Sequence, residues 1–161
     1  MVTTKIEQLF DIYTKELECF RRMLAFAGEQ GKCVAVSNFT VLGEILDRRR
    51  SLADEIGALS VQAQATAQGI AADLGLPELN LSSLRQQLPE AAVAPLEQVL
   101  AQLRQVAEEI QQIDRQCEVE VRQAMQGLRG EMSNVQLGQT AMRAYKNAPQ
   151  PNDARFIDKQ K

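Results

Sequence analysis

The chain has 161 residues, 45% of them hydrophobic, and carries 18 Lys and Arg against 21 Asp and Glu for a net charge of −3. This balance supports one folded domain or one elongated assembly unit and excludes disorder throughout. The mild acidity, with no basic stripe interleaved with aromatics, argues against nucleic-acid binding, and the absence of His removes the commonest general base and metal ligand together.

Aromatic residues make up only 4% and Trp is absent, while Ala, Leu, Gln, Glu and Arg dominate. These residues lose little rotamer freedom in a helix, so the expected fold is all-α. The first residues, Met1-Val2-Thr3-Thr4-Lys5-Ile6-Glu7, lack the apolar centre of a signal peptide. No run approaches the roughly 18 apolar residues that would span a bilayer, so no membrane insertion and a cytoplasmic location are expected. Cys19, Cys33 and Cys117 are odd in number and form no C-x-x-C pair, which predicts buried, reduced thiols and no zinc site.

Thr4-Lys5-Ile6-Glu7 fits a capping box and predicts a helix start. From Tyr13 the positions Leu17, Phe20, Leu24, Ala27, Gly31, Val34, Val41 and Ile45 alternate steps of three and four, a coiled-coil-like seam. Polar Asn38 falls inside it. The register slips near Arg48-Arg49 before resuming at Leu52, Ile56, Leu59, Ala63 and Ile70, as a stutter or solvated gap would, with a register-setting or partner-contacting role as the alternative. One helix over about 4–73 is expected, with bends where glycines weaken it. The basic run Arg48-Arg49-Arg50 reads as a solvated face, with docking to an acidic partner as the alternative.

Leu74-Gly75-Leu76-Pro77 ends this helix and opens a connector over about 74–92. Within it, Leu79 to Leu88 predicts one short helix, capped by Asn80 or Ser82 and stopping before Pro89, whose leucines cover the end of a hairpin. A second long helix over about 93–144 carries Val93, Leu96, Leu100, Leu103, Ala107, Ile110, Cys117, Val121, Ala124, Leu128 and Val135, interrupted by Asp114. Two such stripes joined by a short connector predict a long antiparallel helical hairpin at a shallow crossing angle. A two-helix core is thin, so the seam calls for completion by the connector, the tail, a second protomer or a client chain. Residues 1–145 are thus expected to form one helical domain and 146–161 a flexible, extended tail.

After Gly130 the helix pattern weakens while Met132, Val135, Leu137, Met142 and Tyr145 keep it apolar. Methionines adapt to several partner surfaces, so these residues read either as the end of the seam or as a partner-binding face. Lys146 to Arg155 is a polar, proline-bearing linker that leads to Phe156-Ile157.

Two long helices over nearly the whole length, the Ala144-Tyr145 element and the closing Arg155-Phe156-Ile157-Asp158-Lys159-Gln160-Lys161 together resemble the FlgN family of flagellar export chaperones. In the middle of the second helix, where family members often carry asparagines, this chain has Asp114-Arg115-Gln116-Cys117. The resemblance implies a cytoplasmic, non-enzymatic chaperone that holds hook-associated proteins of the hook-filament junction unassembled and passes them to the export gate. It places client binding at Met132, Val135, Leu137, Met142, Tyr145, Phe156 and Ile157, with Phe156 and Ile157 folded back on the hairpin when no client is present and Tyr145 also docking to the export gate, and it requires no cofactor. The alternative reading is a structural coiled-coil adaptor, homo-oligomeric and without a transient client. A bundle with a small ligand between its helices would rest on Asn38, Asp114 and Arg48 alone, too few convergent polar groups. Glu108-Glu109 and Glu118 with Glu120 are spaced as on a solvated helix face, which disfavours an enzyme.

Overall fold

The computed structural model describes residues 1–145. The chain divides into two compact units, Met1–Cys117 and Glu118–Lys161. Four helices follow in chain order, α1 (Val2–Ala35), α2 (Phe39–Asp73), α3 (Leu81–Gln87) and α4 (Glu90–Tyr145), and no strand occurs among the described residues.

The all-α helical hairpin is present, but the chain turns earlier than the periodicity predicts. The single helix expected over about 4–73 is two helices, α1 and α2, packed against each other. Their antiparallel sense is fixed by Lys5 near the start of α1, whose Nζ lies 2.5 Å from Asp73 Oδ2 at the end of α2. The break is a capped reversal. The Ser37 amide donates to the Val34 carbonyl and the Asn38 amide to the Cys33 carbonyl, with Ser37 left-handed at φ 56°. This is the Schellman pattern that satisfies the last carbonyls of a helix. Asn38 then caps α2 by accepting from the Val41 amide, so the residue read as a gap in the seam is a helix start.

The expected capping box at Thr4 does not form: α1 already begins at Val2, with Met1 as its N-cap and no side-chain cap. Thr4 has a helical neighbour on each side, whereas a capping hydroxyl must sit on the extended residue before the first turn. The other boundaries agree with their local chemistry. Gly75 is left-handed at φ +66°, and the Leu76 and Gly75 amides return to the carbonyls of Ala71 and Ala72. Asn80 rather than Ser82 caps α3, its Oδ1 accepting from the Ser83 amide at 2.7 Å. Leu88 is extended before Pro89, as a residue preceding proline prefers, and α4 starts at once, at Glu90.

The core of the first unit draws on all four helices: Ile6, Leu9 and Leu17 of α1, Ala63 and Ile70 of α2, Leu84 of α3, and Val93, Leu96, Val99 and Leu103 of α4. Each fully buried Leu or Ile contributes roughly 1.5–3 kcal/mol relative to exposure. Leu84, on the short connector helix, is among the most deeply buried residues, so α3 closes the end of the helices as its leucines predict. All three cysteines are buried and none is in a disulfide. Burial, followed by the nearby Glu55 carboxylate, pushes the Cys19 thiol above its ordinary range.

Two charged groups are set into this core. The Arg49 guanidinium of α2 grips Asp114 of α4 in a bidentate pair at 2.7 and 2.8 Å and also donates to Gln30 of α1. The register slip at Arg48-Arg49 and the polar interruption at Asp114 are therefore the two halves of one contact that ties three helices together. Arg48, exposed with its guanidinium 5.9 Å from the Phe26 ring centroid, and Arg50, beside Asp47, match the solvated face expected for the run, and Arg49 departs from it. Glu16 is 6% exposed, and its Oε1 has no hydrogen-bond partner. Burial raises its carboxyl above the ordinary range, partly opposed by a hydrogen bond from Ser60. Burial and the Glu16 charge likewise raise the neighbouring Tyr13 phenol.

Asp114→Ala leaves Arg49 mostly buried without its carboxylate, and is expected to lower unfolding free energy by about 2 kcal/mol in urea titration. This is less than for a fully enclosed pair, because Asp114 itself is partly solvated. Arg49→Met with Asp114→Leu is expected to recover most of that loss. For Glu16 the folded-state pKa lies above the unfolded one, so the penalty is absent in acid and grows as pH rises through the raised pKa. Glu16→Gln is therefore expected to raise the urea midpoint at neutral pH, with a smaller gain at about pH 5.

Candidate functional site

The second unit contains the C-terminal part of α4, where the apolar pattern persists without burial. At about 100° per residue, Val121, Met125, Leu128, Met132, Val135 and Met142 fall along one line, with Gln139 filling the remaining step. Of these, Met125, Leu128, Met132, Val135 and Met142 are 50 to 61% exposed. Their steps of four and three make three heptads, with Val121, Leu128, Val135 and Met142 on one rung and Met125, Met132 and Gln139 on the other. A coiled-coil seam is thus presented to solvent.

This outcome corrects the sequence reading at Ala124, Leu128 and Val135, which were assigned to the buried seam of the second helix and are exposed. Heptad periodicity states that a face is apolar, and it does not state whether a partner is already present. Among the predicted client-binding residues, Met132, Val135 and Met142 share the line. Leu137, 65% exposed, lies roughly 140° round the helix from Met132 and is not brought together with them. Tyr145 is the last residue of α4, and Phe156 and Ile157 lie outside the described residues. Met125 and Leu128 extend the line; Met125 was not singled out from sequence and Leu128 was assigned to the seam and not to the partner face, although the seven-residue steps from Val121 to Leu128 and Val135 carried the signal.

The helix bearing this line has weak intrinsic support. Gly127, Gly130 and Gly138 fall within it, and each costs roughly 1 kcal/mol relative to Ala in a helix interior. A Cβ at any of the three would meet nothing within 4 Å, so packing does not require them. Among exposed pairs, Arg122 to Glu118 at 2.6 Å spans one turn and adds a few tenths of a kcal/mol. Most helical stability in proteins comes from packing of an amphipathic face, so a partner lying along the line would both bury it and stabilise the helix.

The remaining polar residues in the first unit serve the fold. Asn38 caps a helix, Asp114 holds Arg49, and Arg48 covers Phe26, so the three groups weighed for a ligand site do not converge. Among the described residues no group of three metal-ligating side chains occurs, and no helix is long and apolar enough to cross a membrane.

The triple change Gly127→Ala, Gly130→Ala and Gly138→Ala, none of them on the line itself, is expected to raise helicity by circular dichroism. By contrast, Leu128→Glu and Val135→Glu are expected to leave the urea midpoint nearly unchanged, within about 0.5 kcal/mol. Leu96→Ala in the core is expected to lose about 2–5 kcal/mol.

A family model described as FlgN protein matches residues 1–152. No curated protein and no solved structure gives a significant match. All four helices lie inside the matched span, and the chain belongs to the FlgN family, whose role is that of a flagellar export chaperone.

Proposed function

We propose that the chain acts in the cytoplasm to keep hook-associated proteins of the hook-filament junction unassembled, and hands them to the flagellar export gate. It does so by burying their terminal helical segments against the apolar line of α4. The observation that carries this reading is the exposure of Met132, Val135 and Met142 in one line, in a chain whose family is one of flagellar export chaperones. A helix laid along such a line buries both apolar faces reversibly, the mode used when an amphipathic helix is captured in a groove. Assembly-competent terminal segments that are disordered alone are suited to this capture, because the ordering cost keeps the complex releasable.

In this reading Met132, Val135 and Met142 are the central anchors. Leu137 touches client chain that wraps to the other side of the helix, and Tyr145, Phe156 and Ile157 extend the contact beyond the helix end. Tyr145 also docks the loaded chaperone to the gate, since a Tyr ring at a helix end offers large contact area and a hydroxyl at low entropy cost. No bond is made or broken, so the work is done by binding alone and calls for no cofactor.

Titration calorimetry of the full chain against the terminal helical segment of a junction protein from the same cell is expected to show 1:1 binding. Val135→Glu is expected to weaken it at least tenfold, about 1.4 kcal/mol. Equal binding by the variant would place the client elsewhere, and no binding by either protein would favour the structural adaptor.

A further inference from the structure

The apolar line of α4 is flanked by unlike surfaces. Arg122 and Arg129 run along one side of it, each exposed, while the other side carries Glu131 and the small residues Ala124 and Gly138. The surrounding sequence is biased in the same sense. Residues 122–161 hold seven Lys and Arg against three Asp and Glu, a net of +4, whereas residues 1–121 hold eleven against eighteen, a net of −7. The sequence that carries and follows this seam is thus net positive in an acidic protein.

We infer that the occupant of this face is a single acidic amphipathic helix, laid along Val121 to Met142 with its carboxylates over Arg122 and Arg129. This deepens the proposed function and rests on it, by assigning the client segment a charge and a rotational setting. A second copy of the chain fits less well. An antiparallel pairing of two copies sets the arginine flanks against each other, where like charges oppose. The small residues on the far flank let a partner backbone approach on that side, while the arginine side holds its partner by longer, solvated contacts. Arg122 reaches such a partner by exchanging its exposed contact with Glu118, which costs little because both groups are well solvated.

The test uses the full chain and three synthetic helical peptides of about three heptads with one common leucine seam and Glu, Lys or Gln along one flank. Calorimetry is expected to show the Glu peptide binding about fivefold tighter than the Gln peptide, with the Lys peptide weakest and the differences lost in high salt. Arg122→Glu with Arg129→Glu is expected to reverse the order, and Val135→Glu to abolish binding of all three. Equal affinities for the three peptides would overturn the charge assignment while leaving the apolar line as a helix-binding face. Undiminished binding of the Glu peptide to Val135→Glu, or no peptide binding at all, would overturn the docking face itself. A homodimer in sedimentation equilibrium that Leu128→Glu dissociates would make the seam a self-interface and overturn the inference. Failure of the junction-protein segment to bind, with peptide selectivity intact, would count against the proposed function alone.

Discussion

The core of this protein depends on a reversal that takes three residues. Without the turn at Val36, Ser37 and Asn38, the apolar stripes of α1 and α2 would run end to end along a single helix, and Leu9 and Ile70 would stand far apart. With it, the two stripes face each other, and α3 and the first part of α4 add Leu84, Val93 and Leu96 to the same cluster. The turn holds Ser37 in the left-handed region, at a cost of about 1 kcal/mol for a residue with a Cβ. Backbone hydrogen bonds and the Asn38 cap offset that cost, and the burial it permits is many times larger.

Into this apolar seam the chain sets a partly buried cation and a buried carboxyl, treated in opposite ways. Arg49 is partnered by Asp114 and Gln30, and its guanidinium is held above even its usual high range, chiefly by the Asp114 hydrogen bond. A bidentate contact between residues on different helices resists a heptad slip, because a shift of one turn would leave a buried guanidinium without its acceptor. Glu16 has weaker company, with one oxygen unmatched, and is a stability debit that burial imposes on an otherwise apolar helix face.

The C-terminal part of α4 has the opposite economy. It carries as regular a seam as the core helices, yet leaves it to solvent and weakens the helix with three glycines. Such a segment gains from a partner, since binding removes apolar area from water and adds the packing that most helices rely on for stability.

Much was legible in the residues themselves. The helical class, the cap at Asn80, the stop at Gly75, the closing role of the connector leucines and the apolar line through Met132, Val135 and Met142 follow from local chemistry and period, which act over a few residues. The family, too, was recognisable from the helical plan together with the Tyr145 and Phe156-Ile157 ending. What needed the tertiary structure is what depends on distant residues. Whether Asn38 interrupts a helix or starts one depends on the burial gained by turning back, a sum over two whole helices. Arg49 and Asp114 are 65 positions apart, so each alone reads as a defect in its own stripe and only their meeting explains both. A heptad repeat looks the same in the core at Leu96 as on the exposed rung at Leu128, because period records which face is apolar, while burial is decided by what packs against it.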